Sequence, residues 1–174
     1  MNEKMLEVEV KVRVNPEQIK EKLKELKAAF IKEVEQEDTY FKHPCWNFKD
    51  RDEALRVREE GNIFFLTFKG PKLDKKIKVR KELQLQVESE IFELLKEIGF
   101  SELKKVRKRR KLYQWKNLKV CLDKVEGLGD FLEIEGKSWE DKSIIRELVK
   151  KLNIKEESLS TISYLELLLL HSSS

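Results

Sequence analysis

The strongest structural signal in this chain is the stretch Leu6-Glu7-Val8-Glu9-Val10-Lys11-Val12-Arg13-Val14, which alternates apolar and charged residues without a break. Successive side chains of a β-strand point to opposite faces, so the valines share one face and the charged residues share the other. Valine also favours extended backbone, because its branched Cβ restricts χ1. The stretch therefore predicts a strand with one apolar and one ionic face. Taken alone, such an ionic row is typical of a solvated strand surface.

Composition and length describe an ionic globular protein. The chain has 174 residues, of which 40% are hydrophobic and another 40% charged, and its net charge is only +4. A polyanionic partner is therefore suggested by where the cations cluster more than by the total charge. Cys45 and Cys121 provide no disulfide framework, and the sequence shows no recognisable signal peptide or membrane-spanning segment. We therefore expect a cytoplasmic protein without a membrane partner.

Alternation and turn signals predict a series of strands that continues along the chain. The predicted strands are residues 6–14, 30–41, 52–58, 63–69, 77–87, 103–115, 118–125 and 130–135. Gly61-Asn62 predicts a tight hairpin turn, and Gly70-Pro71 predicts the end of the fourth strand, followed by a mobile loop over residues 72–76. Helix-start signals occur at Asn15, Ser89, Ser138 and Ser163. No linker or internal repeat interrupts the chain, so we expect a single domain over residues 1–171 and a disordered tail over residues 172–174.

This order of elements predicts an α+β fold in which an eight-stranded antiparallel sheet closes into a barrel and helices bracket it. An ordinary small barrel fills its interior with the apolar faces of its strands. Here the amphipathic helices need apolar sheet surface to cover, and the strand exteriors can supply it. The polar strand residues are also overwhelmingly charged, with few serines, threonines or asparagines. We therefore expect the ionic faces to line the lumen.

The charged residues of the predicted lumen sort by strand. The basic pairs are Arg56/Arg58, Lys78/Arg80 and Lys108/Arg110, and the acidic residues are Glu7/Glu9, Asp123 and Glu133/Glu135. Arginine and lysine neutralise phosphate oxygens, whereas carboxylates bind hard divalent cations. A lumen with a cationic wall and a carboxylate cluster is suited to a metal-bound polyphosphate.

Beyond these patterns, the chain resembles the CYTH or triphosphate tunnel metalloenzyme family over nearly its whole length. The matching residues are, in order, Glu7-x-Glu9-x-Lys11, Arg56-x-Arg58, Lys69, residues 78–82, Lys108-x-Arg110, Asp123 and Glu133-x-Glu135. Three shorter pieces resemble the class IV adenylyl cyclase branch in particular. They are Tyr40-Phe41 with His43-Pro44, Asp52-Glu53-Ala54-Leu55-Arg56, and residues 128–135.

The resemblance implies a triphosphate substrate, ATP or tripolyphosphate, with Mg²⁺ or Mn²⁺ as the cofactor. It implies metal ligands, or close supports of ligands, at Glu7, Glu9, Asp123, Glu133 and Glu135. It implies phosphate binding at Lys11, Arg56, Arg58, Lys69, Lys78, Arg80, Lys108 and Arg110. Among these, we expect Lys11, Arg58 and Arg110 to take part in catalysis. The branch favours a cyclase that forms cyclic AMP and pyrophosphate from ATP.

Several alternatives stay open at the level of sequence. A triphosphatase acting on tripolyphosphate, thiamine triphosphate or a nucleoside triphosphate would use the same residues, with water in place of the ribose 3′-hydroxyl as the nucleophile. A protein that binds polyphosphate without turnover would share the same lumen. The basic run of residues 104–111 could bind RNA, although only one alternate set of its side chains can face the lumen. A small-molecule triphosphate is the favoured partner, and the oligomeric state, a homodimer included, is left open.

Two further residues are interpreted as structural. Cys121 is typical of a small buried residue rather than a nucleophile, because neither histidine is placed to activate it. Tyr164 opens the predicted C-terminal helix, where it either packs that helix against the barrel or helps to close the barrel mouth. Packing is the simpler interpretation.

Overall fold

Eight strands form one closed antiparallel barrel in the computed structural model, which describes residues 6–74 and 77–171. The strands are β1 Leu6–Arg13, β2 Ala29–Lys42, β3 Ala54–Glu60, β4 Ile63–Asp74, β5 Lys78–Val87, β6 Ser101–Trp115, β7 Leu118–Val125 and β8 Gly129–Gly136. Their order around the barrel is β1-β5-β4-β3-β2-β6-β7-β8. The predicted α+β fold with an eight-stranded antiparallel barrel is confirmed. The predicted tail at residues 172–174 lies outside the described residues.

Helices bracket the barrel as α1 Pro16–Glu25, α2 Ile91–Glu97, α3 Asp141–Lys151 and α4 Tyr164–His171. The predicted cap at Asn15 is confirmed, because its side chain accepts the backbone N–H groups of Glu17 at 3.1 Å and Gln18 at 3.4 Å. The predicted cap at Ser89 is wrong, since α2 begins further along without a side-chain cap. Of the capping box predicted at Ser138, only the bond from the Ser138 N–H to Asp141 Oδ2 at 2.9 Å is present, and the Ser138 side chain does not cap α3. Within the described ranges, no helix has both the length and the apolar character needed to cross a membrane.

The fourth strand is longer than the sequence predicts. β4 continues through Gly70-Pro71 to Asp74, with register shifts on either side of Lys72. Proline cannot donate to a ladder, and the shifts take it out of the regular pairing with β5. The Gly70 carbonyl accepts a hydrogen bond from Arg80 Nε at 2.6 Å. The strand end predicted at Gly70-Pro71 is therefore wrong, and so is the mobile loop over residues 72–74, whereas residues 75–76 of that loop lie outside the described residues.

Most of the apolar core lies between the outer surface of the barrel and the helices, whereas one cluster, which includes Val106 and Phe131, lies on the inward strand faces against Tyr164 of α4. Val8 and Val10 of β1 belong to a large buried cluster that includes Ile19 of α1 and Leu148 of α3. A second outer cluster places Val57 of β3 beneath α2. Because these apolar side chains point outwards, their neighbours in sequence point into the lumen. The predicted inverted arrangement is confirmed.

Candidate active site

A cavity of about 1440 Å³ occupies the barrel lumen. Every site residue predicted from the sequence lines this cavity, except Asp123. Most of these charged side chains are buried, among them Lys11 and Lys78, which are each only 3% exposed. Buried charges must be paired, because an isolated ion loses its hydration. The cavity wall is accordingly a network of ion pairs.

Three carboxylates, called the carboxylate cluster below, converge on one side of the lumen. Glu9 of β1 lies opposite Glu135 of β8 in the ladder, and Glu133 projects to the same side of β8. One oxygen atom from each residue lies within 4.8 Å of the others. Carboxylate oxygens are the ligands that Mg²⁺ and Mn²⁺ prefer. Metal ligation by these residues stays a prediction, and their donor type and spacing fit it.

Cations from neighbouring strands neutralise the carboxylate cluster. Lys78 Nζ lies 2.7 Å from a Glu9 oxygen. Lys11 Nζ lies 2.9 Å from Glu133 and 3.6 Å from Glu9, and Arg110 also donates to Glu133. Burial alone would raise the pKa of Glu133, but the charges of Lys11 and Arg110 hold that pKa well below its usual range. Glu133 is therefore ionised, as metal ligation requires.

Glu7 belongs to a neighbouring group of ion pairs. Its Oε1 accepts a hydrogen bond from Lys69 Nζ at 2.6 Å, and Lys69 also pairs with Glu82 at 2.8 Å. Lys78 Nζ lies 3.7 Å from Glu7 Oε2, so Lys78 bridges this group and the carboxylate cluster. Metal ligation by Glu7 stays a prediction. Glu82 is a lumen carboxylate to which the sequence reasoning assigned no role.

Asp123 lies behind the cavity wall, where it holds Arg110. Its carboxylate accepts hydrogen bonds from Arg110 Nε at 2.7 Å and Nη2 at 2.6 Å. Arg110 also donates to Glu135 at 3.1 Å, and the Tyr164 hydroxyl donates to Asp123 Oδ2 at 2.9 Å. This placement fits the role of a close support for the site better than direct metal ligation.

Asp38 is a buried carboxylate on the inward face of β2, behind the cavity wall, that the sequence analysis did not identify. It is 1% exposed and accepts hydrogen bonds from Arg58 at 2.6 and 2.7 Å. It also accepts from Arg56 at 3.2 Å and Lys108 at 3.4 Å. Burial alone would raise the pKa of Asp38, but these cations hold it well below its usual range. An aspartate in the middle of the predicted second strand is the signal that could have identified it.

The basic side of the lumen retains hydrogen-bonding capacity for an anion. Arg56 is 7% exposed, yet its Nε has no hydrogen-bond partner among the described residues. Burial lowers the pKa of Lys108 to about 8. The charges of Arg58 and Arg110 also lower this pKa, whereas the charge of Asp38 raises it. A buried unpaired donor and a crowded ammonium group are both stabilised when an anion binds beside them.

Arg80 is placed differently from the other predicted phosphate-binding residues. Its guanidinium donates to the backbone carbonyls of Gly70 at 2.6 Å and Asp52 at 2.8 Å. These bonds fix the irregular end of β4 against the loop that precedes β3. Phosphate binding by Arg80 stays a prediction, in addition to this structural role.

The two mouths of the lumen differ in chemistry. The mouth where β2 begins is lined by polar and charged residues that include Lys32, Gln114, Asn117, Lys119 and Lys137. The mouth where β2 ends lies between α4 and the loop that joins β2 to β3, and we call this end the vestibule. It is lined by the apolar residues Pro44, Trp46, Phe48, Leu165 and Leu169 together with the charged residues Lys49, Asp52, Lys72 and Glu166. Within it, the rings of His43 and Trp46 stack with their centroids 3.4 Å apart.

Comparisons with known proteins give one consistent fold. A family model described as the CYTH domain matches residues 5–164. A Methanocaldococcus jannaschii protein with a provisional adenylate cyclase name is 40% identical over 172 residues, which cover 94% of this chain and 98% of the relative. A solved Pyrococcus horikoshii structure is 38% identical, with a TM-score of 0.85 and coverage of 95% of this chain and 99% of that one. A Hippeastrum protein with a provisional adenylyl cyclase name shares the fold at 18% identity, with a TM-score of 0.69 and coverage of 98% and 96%.

Proposed function

This chain belongs to the CYTH domain family, whose members are metal-dependent enzymes that act on triphosphates, and we propose that it acts as an adenylyl cyclase. The substrate is ATP, and the products are cyclic AMP and pyrophosphate. The observation that carries the proposal is that one cavity contains both the carboxylate cluster and a basic wall, which is formed by Arg56, Arg58 and Lys108. Such a cavity neutralises a phosphate chain and holds its divalent cation.

The basic wall has more positive than negative charge where it surrounds Asp38. This single carboxylate contacts three cationic side chains, those of Arg56, Arg58 and Lys108. Bound phosphates would offset that excess and would supply the acceptor that Arg56 Nε lacks. We therefore assign the phosphate chain to this part of the lumen.

The carboxylate cluster fits Mg²⁺ or Mn²⁺ by charge and donor type, with Glu9, Glu133 and Glu135 as the residues that would hold the ion. When bound, the ion supplies positive charge that stabilises negative charge on the reacting phosphate. Lys11 and Arg110, which pair with the carboxylate cluster, then become available to contact phosphate oxygens.

The vestibule favours an organic triphosphate over tripolyphosphate. The cavity of about 1440 Å³ is larger than the roughly 300–1,000 Å³ typical of small-molecule pockets. A phosphate chain would occupy only the ionic part of this cavity. The apolar side chains of the vestibule, such as Phe48 and Leu165, provide a surface that an organic group can contact. In the cyclase reaction, the ribose 3′-oxygen forms a bond to the α-phosphorus and releases its proton. The bond from that phosphorus to the bridging oxygen breaks, and pyrophosphate leaves.

A triphosphatase is the second candidate. The Hippeastrum protein is described as having a dominant triphosphatase activity, and the same basic wall would bind tripolyphosphate or thiamine triphosphate. The polar mouth, lined by residues such as Gln114 and Asn117, is a suitable entry path for a hydrolytic water. In that reaction water attacks a phosphorus atom and inorganic phosphate is released.

The deciding experiment compares ATP, thiamine triphosphate and tripolyphosphate, each with Mg²⁺ and with Mn²⁺, while resolving cyclic AMP from free phosphate. The cyclase proposal predicts equal amounts of cyclic AMP and pyrophosphate from ATP, and no product after chelation of the metal. Release of free phosphate without cyclic AMP would establish the triphosphatase instead. Tight binding of all three compounds without any product would contradict both enzymes.

A further inference from the structure

Tyr164, the first residue of α4, reaches from the barrel mouth to the charged groups of the lumen. It is 5% exposed, and its hydroxyl donates to Asp123 Oδ2 at 2.9 Å. Its ring centroid lies 3.9 Å from Lys11 Nζ and 5.2 Å from Lys108 Nζ. Both the hydroxyl and the ring face therefore contact parts of the proposed active site, which is more than packing α4 requires.

The hydroxyl acts on the lumen through Asp123. The Asp123 side chain has no exposed surface, and both of its oxygens accept hydrogen bonds from Arg110. Oδ2 accepts from Arg110 and from Tyr164 at once. The orientation of the Arg110 guanidinium thus depends on Asp123, and the orientation of Asp123 depends in part on the tyrosine hydroxyl.

The chain before α4 holds Tyr164 in this position. Ser160 exchanges two backbone hydrogen bonds with Lys11 of β1, at 2.7 and 3.2 Å. Ser163 and Glu166 form reciprocal bonds at the start of α4, with the Ser163 N–H donating at 2.7 Å and the Glu166 N–H at 3.1 Å. These contacts confirm the predicted helix start at Ser163 and anchor the tyrosine backbone to the strand that carries Lys11.

We propose that Tyr164 is a positioning residue for the reaction. Its hydroxyl orients Arg110 through Asp123, and its ring positions the Lys11 ammonium group. This inference rests on the proposed triphosphate chemistry of the lumen. The ring offers its electron-rich face to the ammonium group, so Lys11 is stabilised there without a further carboxylate.

The test is a double-mutant cycle between Tyr164→Phe and Asp123→Asn, measured as kcat/KM for ATP. Tyr164→Phe keeps the ring and removes the hydroxyl, so we expect about a tenfold loss, in the range seen for residues that orient catalytic groups. In the Asp123→Asn background the same change should cost less than about twofold, because the hydroxyl acts through Asp123. Equal losses in both backgrounds, or no loss in either, would overturn the inference. Binding of a non-hydrolysable ATP analogue replaces kcat/KM if the Asp123 variant has no measurable turnover.

Tyr113→Phe is the matched control, because Tyr113 packs in the outer core, with its ring centroid 5.4 Å from that of Phe30. It should leave kcat/KM unchanged. A measurement without substrate separates this inference from the proposed function: the Nε–H NMR signal of Arg110, assigned with Arg110→Lys, should shift in Tyr164→Phe and not in Tyr113→Phe. A shift in a protein that turns over no triphosphate would support the positioning role while refuting the proposed function. An unshifted signal would refute the positioning role itself.

Discussion

The inner and outer faces of β6 carry nearly the same side chains in opposite surroundings. Lys108 and Arg110 point into the lumen, where their side chains are 3% and 7% exposed. Arg107 and Arg109 alternate with them and point outwards, where they are 58% and 59% exposed. A basic run that reads as uniform in sequence is therefore divided between a buried site and a solvated surface.

The ion pairs on the two faces have similar lengths but different consequences. The shortest contact of Arg110 with Asp123 is 2.6 Å, and that of Arg109 with Glu35 is 2.8 Å. An exposed pair contributes at most about 1 kcal/mol, because water screens it and side-chain entropy opposes it. A buried cation that loses its partner retains the full cost of desolvation. Burial, more than distance, decides which of these pairs matters.

The comparison also bears on RNA binding. Arg107 and Lys105 pair with Glu37 at 2.5 and 2.6 Å, and Arg109 pairs with Glu35. The acidic outer face of β2 thus neutralises much of the outer basic row. This arrangement disfavours a phosphate-binding surface outside the barrel.

The largest effect should follow from Glu133→Gln, which removes an inward charge and keeps side-chain size. We expect metal-dependent turnover to fall by on the order of a thousandfold, because a bound divalent cation contributes several kcal/mol to charge stabilisation. Glu9→Gln should behave in the same way. Rates with Mg²⁺ and Mn²⁺ test this, and circular dichroism verifies the fold. Glu37→Gln on the outer face is the matched control and should match the wild type. Near-normal, chelator-resistant turnover in the Glu133 variant would remove this residue from the metal site.

The next effect concerns stability and compares the adjacent residues Asp38 and Glu37, which lie on opposite faces of β2. Asp38→Asn should cost about 3–5 kcal/mol in the free energy of unfolding, because it leaves buried cations without their partner. Glu37→Gln should cost less than about 1 kcal/mol. Urea denaturation near neutral pH measures both.

The pH dependence of the free energy of unfolding provides a second test of the contribution of Asp38. The folded-state pKa of Asp38 is depressed. Its stabilisation is therefore complete above the unfolded-state pKa of about 4 and is lost as the pH falls through the lower folded-state value. Equal losses of unfolding free energy for the Asp38 and Glu37 variants in urea denaturation would show that burial does not distinguish the two faces of β2.

A smaller effect should distinguish Arg110→Ala from Arg109→Ala. Loss of the inner guanidinium should weaken binding of a non-hydrolysable ATP analogue by roughly ten- to hundredfold, as expected for charge-assisted contacts. Arg58→Ala should act similarly, whereas Arg109→Ala should have less than about a twofold effect. Calorimetric titration measures these affinities, and single-stranded RNA serves as the comparison ligand. An Arg109 variant as weak as the Arg110 variant would contradict the assignment of the two faces.

The smallest effect is the pH dependence of binding through Lys108. Its pKa in the free protein is about 8, and only the protonated form contributes a cation to the lumen. We expect the affinity for tripolyphosphate to be independent of this group at lower pH. Affinity should then fall by up to about tenfold per pH unit as the pH rises above that pKa. Lys108→Arg keeps its charge and should remove this step. A profile that is unchanged in the variant would assign the dependence to another group.

Much of this architecture follows from local pattern. The alternation over residues 77–87 predicts a strand whose charged side chains face one way, and Lys78 and Arg80 are indeed buried in the lumen. Strand periodicity depends only on neighbouring residues, so it can be recognised without knowing the fold. The end of β4 could not be predicted in this way, because the hydrogen bond from Arg80 to the Gly70 carbonyl depends on the position of β5.

The sequence by itself determined which side chains are ionic, which of them share a strand face, and that the helices need the opposite faces. Only the tertiary structure decided which of these charges meet. Glu9 and Glu135 approach one another because closure of the barrel pairs β1 with β8. Asp38 accepts hydrogen bonds from Arg58, and Asp123 accepts hydrogen bonds from both Arg110 and Tyr164. These residues belong to segments that are distant in sequence. These contacts depend on the register of the strand ladders and on the docking of α4, which are set by the packing of the whole chain.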